Sequence, residues 1–391
     1  MHAAVRIAVA AVLGLSILSA TVMAQSLAAR LDEASAARQA GQLDKALTMA
    51  HAAAVAHPTD TNVARLEIEI LLDQSKRDAA LAAYDRYVSA RRSPDRVLLS
   101  LIATNELRRV AAAPEPEIAI PALERLAQTG DVASRQALVD RATRQPISLE
   151  SLGLMTSLSR LGDARAQASI GQLLLSVPLD QRRTVLEAIR DGKARTQAQA
   201  VADLLSDLDP LVRLAAAQTL GVLLEPKTIP QLEATLASDP VPSVKLFAAV
   251  ALKRLGRPSG DELAARLLAS DVPEMRLLGG QAYAFSKTRQ WTSRILELGA
   301  GRNEMHHVQA AEVLACCDAP GARTLLAGAL RSPNPLLRRE AARVLETTQV
   351  ADMAVARTLL GDPDETVRVY GAGALLTLPQ TAQPAAAPRA R

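Results

Sequence analysis

The stretch DPLVRLAAAQTLG at residues 209–221 decides the fold, because its pattern returns near the end of the chain as DETVRVYGAGALL at 364–376. Both stretches begin with an acid, place an apolar residue and an Arg three and four positions later, and continue through Ala and Gly to Leu. The position of that Arg, here called the basic position, recurs at steps of 30 to 32 residues. It is occupied by Arg182, Arg213, Lys245, Arg276, His307, Arg338 and Arg368. A regular period of this length is typical of a helical solenoid.

A column of small residues accompanies the basic position. From Arg213 onward, the third and fourth residues after it are only Ala or Gly. The pairs are Ala216 and Ala217, Ala248 and Ala249, Gly279 and Gly280, Ala310 and Ala311, Ala341 and Ala342, and Gly371 and Ala372. The simplest reason for such a column is a neighbouring helix at an interaxial distance of about 8–10 Å.

An Asp or Asn stands four to six residues before the basic position and is the predicted N-cap of the helix that follows. These residues are Asp209, Asp239, Asp271, Asn303, Asn334 and Asp364. A second apolar helix precedes each cap, as in LEATLASD at 232–239. One such pair of helices cannot bury its apolar face alone, whereas stacked pairs share a continuous core. The sequence therefore predicts an all-α fold, an α-solenoid of stacked helix pairs.

These strings resemble the HEAT-repeat family, in particular the short repeats of about 30 residues found in bilin lyases. The matching strings are DPLVRLAAAQTLG, NPLLRREAARVLE at 334–346, and DETVRVYGAGALL. The resemblance runs from about residue 162 to 377 and is weaker over 117–161. It implies a ladder of Asp and Arg side chains between adjacent repeats, here broken at His307 and softened to Asn at 303 and 334.

The front of the chain, residues 34–92, resembles tetratricopeptide repeats instead. A first copy matches at Gly41 and Leu43 in the turn, and at Ala46, Ala53 and Pro58. Ala80 follows Ala46 by 34 residues, the repeat length of that family. Ser75 takes the place of the turn glycine, so the second copy is imperfect.

Residues 1–24 read as a secretory signal peptide, with one Arg in the first six residues and a 14-residue apolar core, IAVAAVLGLSILSA. Val22 and Ala24 are the small residues before the expected cut, so the mature chain should begin at Gln25. An uncleaved anchor is the alternative, because the apolar run from 7 to 24 is near the lower limit of a membrane span. We expect an exported protein, periplasmic or secreted, soluble, and without membrane insertion after cleavage.

Five segments are therefore expected along the chain. They are a signal peptide at 1–24, a tetratricopeptide-like helical segment at 25–110, a Pro-rich boundary at 111–121, a HEAT-like solenoid at 122–378 and a disordered tail at 379–391.

No chemistry-bearing motif was found in the sequence. It contains no phosphate loop, two-His helical zinc pattern or nucleophile elbow, so no catalytic residue, metal or cofactor is predicted. A net charge of +4 on 391 residues is too weak to indicate nucleic-acid binding. His306 is expected either to be partly buried with a hydrogen-bond partner or to point into a groove. Cys316 and Cys317 are expected to be buried, unpaired thiols.

Departures from the repeat pattern gather in residues 245–315. The basic position becomes His307, the small pair becomes Gly279 and Gly280, and four of the seven aromatic residues lie within 45 residues. The aromatic side chains either pack in the core or contact a partner. On the second interpretation, the predicted anchors and rim charges are Phe285, Trp291, Lys245, Arg254 and Arg276.

The predicted function is that of an exported, non-catalytic scaffold or adaptor that binds a protein or peptide on its solenoid surface in the cell envelope. A structural subunit of an envelope complex is one alternative. A HEAT-repeat enzyme of the bilin-lyase type is another, which the resemblance permits. Deoxyhypusine hydroxylase, another enzyme built from HEAT repeats, uses His-Glu pairs for two iron ions, and no such dipeptide occurs in this sequence.

Overall fold

The computed structural model describes residues 27–284, 290–315, 321–349 and 351–378. These residues form helices joined by short turns, and none of them lies in a β-strand. The chain divides into two compact units between Glu106 and Leu107. The prediction of an all-α solenoid is confirmed, whereas the predicted signal peptide and tail lie outside the described residues.

The first unit contains two helical hairpins and the start of a further helix. Its helices are α1 at 27–39, α2 at Leu43–Ala56, α3 at Thr61–Asp73, α4 at Arg77–Arg91 and α5 at Arg96–Ala111, which continues past the division. Gly41 and Ser75 occupy the same place in successive hairpin turns, with φ of 73° and 58°. This left-handed conformation favours glycine and strains a serine. Gly41 and Ser75 are therefore equivalent turn positions in two successive repeats, as the sequence predicts.

The second unit is a longer array of helix pairs. Its helices are α6 at Pro116–Gln128, α7 at Val132–Arg144, α8 at Leu152–Arg160, α9 at Ala164–Ser176, α10 at Leu179–Asp191, α11 at Ala198–Asp203, α12 at Pro210–Leu223, α13 at Ile229–Ser238, α14 at Pro242–Arg254, α15 at Asp261–Ala269, α16 at Pro273–Tyr283, α17 at Thr292–Leu296, α18 at Glu304–Ala315, α19 at Ala322–Ala329, α20 at Pro335–Thr348, α21 at Met353–Leu360 and α22 at Glu365–Thr377. From α10 to α22, each even-numbered helix carries one basic position and packs against the next even-numbered helix.

The Pro-rich segment at 111–121, predicted as a boundary, is largely helical. Pro116 begins α6 and Pro121 lies within it. Pro116 is tolerated in the first turn, where the backbone N–H groups have no partner inside the helix, whereas Pro121 lies in the second turn and removes one hydrogen bond to the carbonyl of Glu117.

The column of small residues lies where two helices approach closely. A Cβ atom added to Gly279 would lie 2.4 Å from the backbone N of Leu268 in α15, the other helix of the same repeat. A Cβ on Gly280 would meet the side chain of Ile295 in the next repeat at 2.5 Å. The column therefore faces both its own repeat and the following one, and a larger side chain has no room there.

Four of the six predicted caps are confirmed. The side-chain oxygens of Asp209, Asn303, Asn334 and Asp364 each accept a backbone N–H at the start of the following helix. The other two predicted caps, Asp239 and Asp271, are wrong, because α14 and α16 begin after Val241 and Val272. Valine has no side-chain acceptor, and both helices instead open with a proline that needs no N–H partner.

The basic position makes one contact that the resemblance did not imply. In most repeats from Arg213 onward, its side chain donates to the backbone carbonyl six residues earlier, just after the first helix of its own repeat. The acceptors are the carbonyls of Asp207, Ser270, Gly301, Ser332 and Asp362. Even His307 keeps this contact, at 2.8 Å. Lys245 reaches the carbonyl of Ala237 in the same way, at 3.1 Å.

The ion-pair ladder uses these same loop positions rather than the caps. Arg182 pairs with Asp207 at 2.7 Å, Arg213 with Asp239 at 2.7 Å, and Arg338 with Asp362 at 2.9 Å, each acid belonging to the next repeat. In the three middle repeats this loop position holds Ser270, Gly301 and Ser332. The expectation that Asn303 and Asn334 soften the ladder is therefore corrected, because these two residues cap helices.

Replacing Asp239 with Asn should lower the free energy of unfolding by about 1.5–3 kcal/mol at pH 7, because a hydrogen bond to a charged partner is lost. Hydrogen bonds from Arg213 hold the pKa of Asp239 below its ordinary value. Its ionised form therefore stabilises the fold above the unfolded pKa of about 3.9, and this stabilisation is lost as pH falls through the lower folded pKa. Urea unfolding between pH 7 and pH 2 should show the wild type and variant converging in acid. The control Asp271→Asn, at a fully exposed residue, should change little, and a loss for Asp239→Asn that is independent of pH would contradict the assignment.

Candidate functional site

Among the residues predicted to bind a partner, those that the structure describes include no exposed aromatic side chain. Trp291 is only 3% exposed and packs in the hydrophobic core. Its indole is therefore not accessible as a surface anchor. Arg276 is 9% exposed and lies 3.3 Å from Glu297. Arg254 is half-buried at the end of α14. Phe285 lies outside the described residues, so partner binding by this set stays a prediction.

The two neighbouring histidines make different contacts. The Nε2 atom of His306 lies 3.2 Å from the Glu274 carboxylate, and the imidazole is partly buried, which agrees with the first of the two predicted alternatives. His307 donates to the Gly301 carbonyl. Across the described part of the chain, no group of three or more His, Cys, Asp or Glu residues could hold a metal ion. Cys316 and Cys317 lie outside that part.

An open groove in the first unit is the clearest candidate binding site. It lies between α2 and α4, with α3 as its floor, and has a volume of about 560 Å³. Ligand sites commonly fall between about 300 and 1,000 Å³. Its lining is Leu47, Thr48, His51, Ala52, Glu67, Leu71, Ala79, Ala82 and Arg86. We call this feature the α2–α4 groove.

A buried carboxylate organises one end of the α2–α4 groove. The side chain of Glu67 is 4% exposed, and its Oε1 atom accepts from Nδ1 of His51 and from an Nη2 of Arg86, both at 2.7 Å. A buried carboxylate requires such partners, since burial without them is costly. The other side of each partner is accessible, because the His51 and Arg86 side chains are 54% and 51% exposed.

The other end of the α2–α4 groove is apolar. Leu71 lies one turn after Glu67 on the floor helix, and Leu47 lies one turn before His51 on the wall. Ala79 faces them at the start of α4. The groove thus has a polar end, where the exposed charge is that of Arg86, and an apolar end about one helical turn, or roughly 5–6 Å, away.

A second candidate is a set of buried charges in the second unit, which joins helices far apart in sequence. Arg125 of α6 donates to Glu346 of α20 at 2.5 Å and lies 4.8 Å above the ring of Tyr370 in α22. The side chains of Arg125 and Glu346 are 9% and 12% exposed. Arg109 also pairs with Glu365 at the start of α22. The first helices of this unit therefore contact its last, so the array is closed.

Further charged residues on α6, α8, α18 and α20 extend this set. Arg160 of α8 holds Glu124 with two hydrogen bonds of 2.6 and 2.7 Å. Arg343, next to Glu346 on α20, pairs with Glu312 and Glu340. Burial raises the pKa of Glu346, although the nearby guanidinium of Arg125 opposes this. Burial also raises the pKa of Tyr370. These groups form a network of ion pairs in which only the Nε atom of Arg125 is buried without a hydrogen-bond partner among the charged side chains named here, and its evident role is closure of the array.

Sequence reasoning missed both sites. The one available sign of the α2–α4 groove was Glu67 in the stretch ARLEIEILL at 64–72, a charge between the apolar residues Leu66 and Ile68. The closure pair had no local sign, because Arg125 and Glu346 are 221 residues apart.

The structure is that of an α-helical repeat protein, in which successive helix pairs stack on one another through columns of small residues. Residues 198–284 match the family described as HEAT repeats, which confirms the resemblance found from the sequence. No curated protein sequence matches the chain.

The solved structures that are similar to this chain include the following two. One is the complex of CpcE and CpcF of phycocyanin lyase from Nostoc sp. PCC7120, with a TM-score of 0.40 and 18% identity, covering 67% of this chain and 95% of that chain. The other is human deoxyhypusine hydroxylase in complex with glycerol, with a TM-score of 0.32 and 21% identity, covering 63% of this chain and 97% of that chain. Both TM-scores are below 0.5, so neither likeness bears on the function of this chain.

Proposed function

We propose that this protein is an exported, non-catalytic scaffold that holds a protein or peptide partner in the cell envelope. The observation that supports it most directly is the α2–α4 groove, an open, mostly apolar cleft with a few convergent polar groups at one end. Clefts of this composition are the usual form of a binding site. Stacked helical repeats provide rigid, extended surfaces that serve such binding. None of the described helices is long and apolar enough to cross a membrane.

Site-specific photo-cross-linking in the native cell tests the scaffold function. The cross-linker is placed at Ala82 in the α2–α4 groove, at the exposed Met275 beside the predicted rim charges, and at the exposed Leu175, outside both regions, as a control. We expect one protein, identified by mass spectrometry, to be attached at Ala82 and absent at Leu175. Attachment at Met275 alone would move the site to residues 245–315. No specific product at either test position would contradict the proposal.

Export is tested by sequencing the N-terminus of the protein from fractionated cells. The apolar core of residues 7–20 and the small residues Val22 and Ala24 predict a mature chain that begins at Gln25. It should be recovered in the soluble extracytoplasmic fraction. A membrane-bound form that begins at Met1 would show that the segment is an anchor.

A further inference from the structure

We propose that the α2–α4 groove binds an extended peptide segment that carries a carboxylate side chain and, two residues away, an aliphatic side chain. This inference rests on the scaffold function proposed above and names the chemistry of its partner.

The carboxylate is expected at the end formed by His51 and Arg86. Only one guanidinium nitrogen of Arg86 is engaged by Glu67, although the group has five N–H donors in a planar fork. That fork matches a carboxylate well, and half of the Arg86 side chain remains exposed. His51 is not such a donor in its neutral form, since its Nδ1–H group is already donated to Glu67 and its Nε2 atom then carries only a lone pair, so Arg86 is the group that would hold the carboxylate.

A basic segment fits this end poorly. Among the residues that line the α2–α4 groove, the negative charge is that of Glu67, which is 4% exposed and already accepts hydrogen bonds from Arg86 and His51. An incoming Lys or Arg would meet Arg86 first and would be repelled. Charge complementarity therefore favours an acidic side chain, and its contribution should fall as salt rises because the site is open to solvent.

The aliphatic side chain is expected against Leu47, Leu71 and Ala79. The side chains of Glu67 and Leu71 mark the two ends and lie roughly 5–6 Å apart, as neighbours at four-residue spacing do. Alternate side chains of an extended peptide point the same way and are about 6.6–6.8 Å apart. This spacing matches an acid and an aliphatic residue separated by one residue.

The closing experiment measures fluorescence anisotropy with labelled heptapeptides and the full mature chain. The probe is GAEALAG, compared with GAQALAG, GAKALAG and GAEAAAG. We expect at least a fivefold weaker affinity for the Gln and Ala peptides, and no measurable binding of the Lys peptide. Binding of the probe should weaken between 50 and 300 mM salt.

Variants of the protein locate the effect. Arg86→Gln should bring the affinities for the Glu and Gln peptides together, whereas Ala82→Trp should fill the α2–α4 groove and abolish binding while leaving Glu67 with both partners. The control Arg65→Gln, at an exposed residue of α3 outside the groove, should bind as the wild type does. Equal affinity of the wild type for the Glu, Gln and Lys peptides, or binding that survives Ala82→Trp, would overturn the inference. The absence of any peptide binding would also overturn it, and a partner cross-linked at Ala82 would still support the scaffold function.

Discussion

Glu346→Leu should lower the free energy of unfolding of the second unit by about 3–5 kcal/mol, because it leaves the guanidinium of Arg125 buried without a counter-charge. An arginine cannot relieve this cost by losing its proton. Arg125→Met should be milder, because the stranded Glu346 carboxyl can take up a proton. Removing the acid of this ion pair should therefore destabilise the second unit more than removing the arginine does.

The milder variant should also depend on pH. Burial already raises the pKa of Glu346, and loss of Arg125 removes the group that opposes this rise. A raised folded pKa means that the stabilising form is the protonated one. The stability contributed by the protonated Glu346 carboxyl is complete below the unfolded pKa of about 4.3, and it is lost as pH rises through the pKa of Glu346 in the folded state. Arg125→Met should thus approach the wild type near pH 4 and fall below it near pH 8.

Urea unfolding, with hydrogen exchange of the amides in α6 and α22, measures these effects. The double variant Arg125→Met/Glu346→Leu should recover most of the loss, because apolar replacement of a buried pair is often neutral or stabilising. Glu187→Leu, which breaks the exposed pair with Arg183, is the control and should change stability by no more than about 0.5 kcal/mol. A double variant as unstable as Glu346→Leu would show that closure needs the charges themselves.

Gly279→Leu should be the second severe change, with a loss of about 1–3 kcal/mol or more from overpacking. The atoms that a side chain would strike include the backbone N and Cα of Leu268, at 2.4 and 2.7 Å, which no side-chain rotation can move. Ala341→Leu, at a fully buried residue of the same column, should also destabilise.

The matched control for this prediction is Gly328→Leu. Gly328 is also helical, but it is exposed and a Cβ there would have no neighbour within 4 Å. Leucine is the better helix former, so this variant should be as stable as the wild type or slightly more stable. Thermal unfolding compares the two. If the melting temperature of Gly279→Leu equals that of Gly328→Leu, the column of small residues does not define the spacing of α15 and α16.

The sequence predicts those features that are local and repeated. The period, the small column and most caps could be read because each depends on residues within one turn or one repeat. Asp239 was misread, since an Asp before a helix suits both a cap and an ion pair, and the choice depends on Arg213 of the previous repeat. The closure pair and the α2–α4 groove depend on which helices meet in space. A single occurrence of Glu67 or Arg125 carries no periodic signal.

Closure by Arg125, Glu346 and Tyr370 has a consequence for how this chain can change over evolution. An open solenoid gains or loses a repeat by duplication or deletion at little cost, because each repeat contacts only its neighbours. In this chain an added or missing repeat would carry α22 away from α6 and leave two buried charges facing the wrong helices. The number of repeats in the second unit is therefore as fixed as the residues within them.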